Sequence, residues 1–283
     1  MPFVTVGTEN SAPIDLYYED HGSGQPIVLI HGFPFSGATW EKQVGPLLAA
    51  GYRTITYDRR GFGNSAQPTF GYDYDTFAAD LDVLMTELDL RDAILVGHSM
   101  GTGEVTRYLG AYGSDRVQRA VLLAPLAPYL LQTQDNPEGV EKSLFDGFQK
   151  AIIDDRFAYL TQFCENFFNY QENKGKLVSE EAFRAHWEIG VRASAKGTHD
   201  CVDAWQTDFR GDLPNIDVPV LIVQGDKDAV LPYPKTGGRL QPMLSDSRLV
   251  TLKGASHGIP WTNAPEFNHA LMDFVGTPAM ARA

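Results

Sequence analysis

The pentapeptide Gly97-His98-Ser99-Met100-Gly101 constrains the fold of this chain more than any other feature. It lies between the apolar run of residues 93–96, which is typical of a buried strand, and the helix-like stretch of residues 102–112. A strand that turns at once into a helix holds its turn residue in a strained conformation, with the side chain projecting from the sheet edge. The glycines two places on either side let the backbones approach closely there. We therefore interpret Ser99 as a nucleophile, and because the bare pattern recurs by chance, other residues must support it.

Short apolar or β-branched runs alternate with longer amphipathic segments through the first half of the chain, and this order predicts a mostly parallel sheet. The apolar spacing over residues 77–88 predicts a helix packed on that sheet, and a second helix is predicted over residues 40–50, ended by Gly51. We therefore predict an α/β fold with an eight-stranded, mostly parallel sheet and helices on both faces. The runs that we interpret as strands are residues 4–6, 14–18, 27–30, 54–57, 93–96, 120–123, 220–223 and 249–250.

The pattern changes between about Pro125 and Leu213, where aromatic residues accumulate in helix-like segments and no convincing strand occurs. Since the strand pattern resumes afterwards, a helical insertion between two strands of one sheet explains this best. We predict a core of residues 1–125 and 214–283, with residues 126–213 inserted as a helical cap. Any single aromatic residue could belong to the insertion's own core, but as a group some of them should line the pocket beneath.

A serine is a weak nucleophile unless a base removes its proton and an acidic residue orients that base. The strand of residues 220–223 leads into a loop that carries Asp226 and Asp228, and the strand of residues 249–250 leads to His257. Loops at the carboxyl ends of parallel strands can bring such groups together. We expect Asp228 to be the acid because it lies further into the loop, while Asp226, better placed to tie down the turn, is the alternative. The other six histidines lack an acid on an adjoining strand loop, and we expect structural or solvated roles for them.

Acyl transfer also needs hydrogen-bond donors aimed at the developing oxyanion. Met100 follows the proposed nucleophile and presents its N–H at the start of a helix, where the helix dipole adds positive potential. A second donor should come from the loop after the third strand, His31-Gly32-Phe33-Pro34. We therefore expect the amides of Phe33 and Met100 to form an oxyanion hole, the alternative being that the loop is a plain turn.

The charge of the chain argues against polyanionic partners. The formal net charge is −13 at pH 7, which repels phosphate backbones and anionic membrane surfaces. We therefore expect neither nucleic-acid nor membrane binding. The segment Asp58-Arg59-Arg60-Gly61 invites an anion-binding interpretation, but such a segment more often fixes a loop through charge-assisted hydrogen bonds.

The cellular setting is predicted from the N-terminal segment and the cysteines. No basic leader followed by an apolar run occurs in residues 1–24, and we expect a cytoplasmic protein. Cys164 and Cys201 lie in no metal-ligand or Cys-x-x-Cys spacing, which favours reduced structural thiols over a disulfide or a zinc site.

Together these motifs resemble those of the α/β-hydrolase superfamily. The segments that carry this resemblance are the pentapeptide around Ser99, His31-Gly32-Phe33-Pro34 and residues 57–65. The chain is similar, more narrowly, to the bacterial cofactor-free haloperoxidases, particularly the bromoperoxidases. The segments behind this narrower resemblance, which covers nearly the whole chain and includes the cap, are residues 102–108, 135–137, 145–147 and 207–209.

The resemblance implies a particular chemistry. Ser99, Asp228 and His257 would form an esterase triad, and Phe33 and Met100 would supply the oxyanion donors. The serine would take an acyl group from a carboxylic acid or ester, and hydrogen peroxide would release it as a peracid, which then oxidises bromide or chloride in solution. The resemblance implies that no metal, haem or flavin is needed. It also implies that the protein is a homotrimer.

Pro34 is the residue type that this family associates with perhydrolysis. The loop that contains Pro34, His31-Gly32-Phe33-Pro34, also occurs in superfamily members with other chemistry, so it does not by itself identify the reaction. A plain carboxylesterase, a lactamase and a carbon–carbon hydrolase or lyase therefore stay as alternatives. A small-ligand receptor that retains a triad is a more remote one.

Overall fold

The computed structural model describes residues 2–276. Its strands are β1 (Phe3–Glu9), β2 (Ala12–His21), β3 (Pro26–Ile30), β4 (Arg53–Tyr57), β5 (Ala93–His98), β6 (Val117–Leu123), β7 (Val220–Gly225) and β8 (Ser247–Leu252). They form one sheet in the order β1-β2-β4-β3-β5-β6-β7-β8. Strands β3 to β8 are mutually parallel, and β2 runs antiparallel to both of its neighbours. The eight predicted strands and the mostly parallel sheet are confirmed.

The helices are α1 (Glu41–Ala49), α2 (Tyr74–Glu87), α3 (Met100–Tyr112), α4 (Lys142–Phe168), α5 (Tyr170–Asn173), α6 (Glu180–Val191), α7 (Ala195–Ala204), α8 (Gly237–Leu240), α9 (Ile259–Thr262) and α10 (Ala264–Gly276). The helix predicted over residues 40–50 begins one residue later, since a 3-10 turn over Gly37–Trp40 precedes α1. The Asp73 carboxylate caps α2 by accepting a hydrogen bond from Thr76 N.

Alternation along the central strands sends side chains to both faces of the sheet. On β3, Ile27 and Leu29 pack in a cluster with residues of α1 and α10, whereas Val28 and Ile30 pack with residues of α2 and α3. A parallel sheet needs apolar residues in both directions because helices cover both of its faces. Helices on both faces were predicted, and this is confirmed.

Helices α4 to α7 lie between β6 and β7 and contribute no strand to the sheet. Helix α4 contacts both α6 and α7. Its backbone departs from helical geometry at Asp155, whose side chain then accepts from Ala158 N. The division into a core and a cap of residues 126–213 stays a prediction. Within residues 2–276, no helix is both long and apolar enough to cross a membrane.

Candidate active site

Ser99 occupies the single residue between β5 and α3. Its backbone has φ 53° and ψ −120°, a combination that residues other than glycine rarely adopt. The turn is tight: a Cβ at Gly97 would lie 2.5 Å from Gly101 O, and a Cβ at Gly101 would lie 2.4 Å from Ile30 O. The Ser99 hydroxyl makes no capping hydrogen bond to α3. The strand, turn and helix therefore hold this hydroxyl at the carboxyl edge of the sheet.

His257 and Asp228 form a buried hydrogen-bonded pair at the ends of β8 and β7. His257 Nδ1 lies 2.7 Å from Asp228 Oδ2, and both side chains are fully shielded from solvent. Asp228 Oδ1 accepts from the amides of Val230, at 2.9 Å, and Leu231, at 2.7 Å. The ionised carboxylate can only accept, so His257 Nδ1 carries a proton and donates it in this hydrogen bond. His257 Nε2, which has no hydrogen-bond partner within the described chain, is left as the basic nitrogen.

Asp226, the alternative acid, lies on the outside of the same loop. Its side chain is exposed and accepts a hydrogen bond from Gly254 N at 2.6 Å. Asp226 thus ties the loop after β7 to the turn after β8, and the structure brings Asp228, not Asp226, to His257.

Two groups hold the backbone around His257. Gly258 N donates to Phe167 O of α4 at 2.8 Å, and the Phe167 ring meets the imidazole edge-on with centroids 5.4 Å apart. From the other side, His98 Nε2 lies 3.1 Å from the His257 carbonyl oxygen and therefore donates to it. Burial, with a smaller contribution from nearby His257, lowers the pKa of His98 well below its usual value. His98 is thus a neutral, structural donor, as expected for the histidines outside the predicted site.

The amides of Phe33 and Met100 lie beside the nucleophile. Both residues line the same cavity as Ser99, and neither N–H donates to an acceptor in residues 2–276. The loop after β3 approaches the elbow so closely that a Cβ at Gly32 would lie 2.9 Å from Ser99 Cβ. Pro34 is buried behind Phe33 and faces α6, where a Cβ at Gly190 would lie 3.1 Å from Pro34 Cγ. Two amides are thus free to meet an oxyanion, while the Pro34 ring is turned toward α6.

The cavity above Ser99 has a volume of about 1060 Å³. Part of its wall is a closed ring of five aromatic side chains, in which consecutive centroids are 4.8 to 6.5 Å apart. Three members come from α4 and one from the end of α7, so the helices between β6 and β7 shape the pocket. The ring consists of Phe33, Trp205, Phe148, Tyr159 and Phe163. The expectation that some aromatic residues of this region line the pocket is confirmed.

A buried polar network beneath the site was not predicted from the sequence. Arg59 Nε lies 2.6 Å from Glu104 Oε2, and Tyr57 Oη donates to the other oxygen of this carboxylate. Arg59 also donates from Nη2 to His31 O at 3.0 Å. The sequence feature that could have predicted this network is Glu104, a charged residue among small or apolar residues of one helix face. A buried carboxylate requires a buried cation as its partner.

The remaining residues of the Asp58 segment also fix their loop. Asp58 accepts hydrogen bonds from the amides of Gly37, at 2.8 Å, and Asn64, at 2.7 Å. Arg60 makes two hydrogen bonds of 2.6 Å to Asp80. The loop-fixing interpretation is confirmed. Elsewhere, no three His, Cys, Asp or Glu side chains of the described residues are grouped as metal ligands would be.

Comparison with known proteins shows the family to which this chain belongs. The family described as the alpha/beta hydrolase fold matches residues 25–264. A Synechocystis protein provisionally named a non-heme chloroperoxidase is 62% identical over 275 residues, which cover 97% of this chain and 100% of the relative. The bifunctional esterase/perhydrolase of Acinetobacter calcoaceticus is 34% identical, over 93% of this chain and 96% of that protein.

A solved structure agrees with these relatives. The crystal structure of a bromoperoxidase from Bacillus anthracis matches with a TM-score of 0.93 at 45% identity, covering 98% of this chain and 99% of that one. The chain belongs to the α/β-hydrolase fold family and, within it, to the cofactor-free bacterial haloperoxidases. The resemblance described from the sequence is confirmed.

Proposed function

We propose that the protein is a serine esterase and perhydrolase that carries an acyl group on Ser99. The observation that carries the proposal is the buried 2.7 Å contact between His257 Nδ1 and Asp228 Oδ2, which leaves Nε2 as a base. A carboxylate on Nδ1 holds the tautomer in which Nε2 can accept a proton, and it stabilises the imidazolium that forms.

The reaction proceeds in two stages. His257 Nε2 takes the hydroxyl proton as Ser99 Oγ attacks the ester carbonyl, and the amides of Phe33 and Met100 donate to the oxyanion. The carbon–oxygen bond to the leaving group then breaks, and His257 returns the proton to it, so that an ester loses an alcohol and a carboxylic acid loses water. Next, His257 removes a proton from water or hydrogen peroxide, which attacks the acyl-enzyme. The bond between the acyl carbon and Ser99 Oγ breaks, His257 returns the proton to Ser99, and a carboxylic acid or a peracid leaves. A peracid oxidises a halide in solution: peracid, halide and a proton give carboxylic acid and hypohalous acid.

The cavity supports a small ester or carboxylic acid as the substrate. Its wall is mostly apolar, and five aromatic rings surround one part of it. Pockets of this kind bury the apolar arm of a ligand and fix its orientation with few polar groups. Peroxide as acceptor is supported by the relative named esterase/perhydrolase and by the bromoperoxidase structure. We also propose Pro34 as a determinant of the choice between water and peroxide.

Two assays on one preparation test the proposal. Hydrolysis of p-nitrophenyl acetate reports acyl transfer, and bromination of monochlorodimedone in acetate buffer with peroxide reports peracid formation. We expect both activities in the native protein, bromination only when acetate and peroxide are both present, and neither activity in Ser99→Ala. Full activity of Ser99→Ala would contradict the mechanism. Ester hydrolysis with no peroxide-dependent signal would leave the plain esterase, lactamase or carbon–carbon hydrolase alternatives. Tight binding of an ester without turnover would favour the receptor.

We also propose a cytoplasmic location, a homotrimer and a cap formed by residues 126–213. Cys164 and Cys201 are buried free thiols, which supports a reducing compartment. The position of α4 to α7 between two strands of the sheet supports the cap. Cell fractionation tests the first proposal, and sedimentation at micromolar concentration tests the second, a monomer being the contrary result. Limited proteolysis that cuts first near residues 126 and 213 would support the third.

A further inference from the structure

The peptide between Gly32 and Phe33 is held from its carbonyl side. Gly32 O accepts one hydrogen bond from His31 Nδ1, at 2.9 Å, and another from Phe35 N, at 3.0 Å. Because a peptide unit is planar and trans, fixing this carbonyl also fixes the direction of the Phe33 N–H on the opposite side. Hydrogen bonds to the carbonyl also polarise the unit and strengthen the N–H as a donor.

The His31 ring is itself held in one tautomer. Its Nε2 lies 2.9 Å from Arg59 N and must accept from that amide, so the proton resides on Nδ1, facing Gly32 O. The ring is fully buried and meets the Phe62 ring edge-on. Burial, together with the positive charge of Arg59, lowers the pKa of His31 well below its usual value, so the ring stays neutral.

The guanidinium of Arg59 joins this loop to the helix that follows the nucleophile. It donates to His31 O at 3.0 Å and to Glu104 Oε2 at 2.6 Å, and both charged side chains are almost completely buried. Glu104 lies four residues after Met100 on α3, one helical turn from the second oxyanion donor. One side chain thus contacts the backbone of the β3 loop and the helix that starts at Met100.

We propose that Arg59 and His31 are positioning residues of the oxyanion hole: through Glu104 and Gly32 O they fix the separation and direction of the Phe33 and Met100 amides. This inference rests on the proposed function, since it requires that these two amides bind an oxyanion. Arg59 itself touches no reacting atom. Its effect on catalysis is therefore expected in the transition state, in which the oxyanion exists.

A neighbouring ion pair provides a matched control. Arg60 is the next residue on the same loop, and its bidentate pair with Asp80 is almost as buried as the Arg59–Glu104 pair. Within residues 2–276, the Arg60 guanidinium has no hydrogen bond to the β3 loop or to α3. Arg60→Lys therefore disturbs a buried pair of the same type without changing the oxyanion loop.

The experiment compares Arg59→Lys with Arg60→Lys. Lysine keeps the charge, but its single nitrogen replaces the planar fork in which Nε reaches Glu104 and Nη2 reaches His31 O. We expect Arg59→Lys to lower kcat on p-nitrophenyl acetate about 10- to 100-fold, part of the effect of deleting one oxyanion donor. KM should change less than about threefold, because ground-state binding does not use the hole. The inhibition constant of a trifluoromethyl ketone, whose adduct with Ser99 carries an oxyanion, should rise by the factor by which kcat/KM falls.

Arg60→Lys should leave kcat and the inhibition constant within about threefold of native values, as expected away from the hole. An equal loss in both variants, or an unchanged inhibition constant in folded Arg59→Lys, would overturn the inference. At His31, asparagine keeps a donor near the position of Nδ1 and leucine does not. We therefore expect His31→Asn to retain about tenfold more kcat than His31→Leu.

A measurement on the native protein tests the inference even if the variants fail to fold. Nitrogen-15 spectra of the histidine rings should show His31 with its proton on Nδ1 and still uncharged well below pH 6.5. A proton on Nε2, or protonation of the ring near pH 6.5, would overturn the inference. The proposed function fails separately, through an active Ser99→Ala. If Ser99→Ala is inactive while Arg59→Lys behaves as native, only the positioning role is wrong.

Discussion

His257 Nδ1 lies 2.7 Å from Asp228 Oδ2, in a contact that solvent does not reach. The two residues come from loops after neighbouring parallel strands, β7 and β8. A buried carboxylate that already accepts two backbone N–H bonds can hold an imidazole in one orientation. This contact leaves Nε2 as the nitrogen of His257 that can accept a proton.

Replacing the acid should therefore slow the chemistry without unfolding the protein. In Asp228→Asn the amide can donate to Nδ1 and favours the wrong tautomer, and we expect kcat to fall about 10⁴-fold. Asp226→Asn is the matched control, since among residues 2–276 this exposed side chain bonds Gly254 N alone, and its kcat should stay within about twofold of native. Steady-state kinetics on p-nitrophenyl acetate checks both. If the two variants exchanged these phenotypes, Asp226 would be the acid.

The backbone of Ser99 should store strain. Its φ of 53° with ψ of −120° lies in a region that costs a side-chain-bearing residue about 1–3 kcal/mol. Ser99→Gly and Ser99→Ala should both be inactive, but Ser99→Gly should be more stable by about 1 kcal/mol, the strain relieved less the added freedom of the unfolded chain. Chemical denaturation measures the difference. Equal stability of the two variants would contradict a strained elbow.

Gly258 should be intolerant of any side chain. A Cβ there would lie 2.8 Å from Phe168 Cδ1 and 2.9 Å from Phe167 Cε1, the ring that faces the imidazole. We expect Gly258→Ala to lower the free energy of unfolding by about 1–3 kcal/mol through overpacking. Displacement of the adjacent His257 should also lower kcat, by about tenfold or more.

Gly147 on α4 offers the control for that substitution. Nothing lies within 4 Å of a Cβ built there, and the residue is helical. Gly147→Ala should therefore raise the free energy of unfolding by about 0.5–1 kcal/mol and leave kcat unchanged. Similar losses of stability at the two sites would show that Gly258 is not specifically crowded.

Stability should decline in mild acid, partly through His98. Because burial lowers its pKa well below the usual value, the unfolded chain binds a proton at this residue below about pH 6.5 while the folded protein does not. The free energy of unfolding then falls as the pH falls, by about 1.4 kcal/mol per pH unit for one such group.

His98→Gln keeps a donor for the His257 carbonyl but cannot titrate. Denaturation between pH 6.5 and 5 should therefore give this variant a slope shallower by about one proton than that of the native protein. The comparison isolates His98 from carboxylates that titrate in the same range. Superimposable slopes would mean that His98 is protonated in the folded state.

The sequence predicted what depends on local pattern. Short apolar runs predicted all eight strands. The glycines at positions 97 and 101 predicted the tight turn at Ser99, because a side chain at either position would clash with nearby backbone. The start of α1 at Glu41 was missed by one residue because the 3-10 turn before it has no separate signal in residue spacing. Fold class and topology were therefore predictable, and the ends of some helices were not.

The site was predictable only in part. Asp226 and Asp228 differ by two positions in one loop, and only the packed structure distinguishes which carboxylate turns inward toward His257. The aromatic ring around the cavity joins Phe33 to Trp205, more than 170 positions apart, and such contacts depend on how helices pack. The Glu104–Arg59–His31 network likewise joins residues of three separate segments. The residue pattern within any one of these segments therefore does not predict it.

The measurement that tests the central claim most directly is mass spectrometry of the protein quenched during turnover of an ester. The account predicts one acyl group on the peptide that carries Ser99, lost faster when hydrogen peroxide is added and absent from Ser99→Ala. An active protein that never carries the acyl group, or carries it on another residue, would contradict the account.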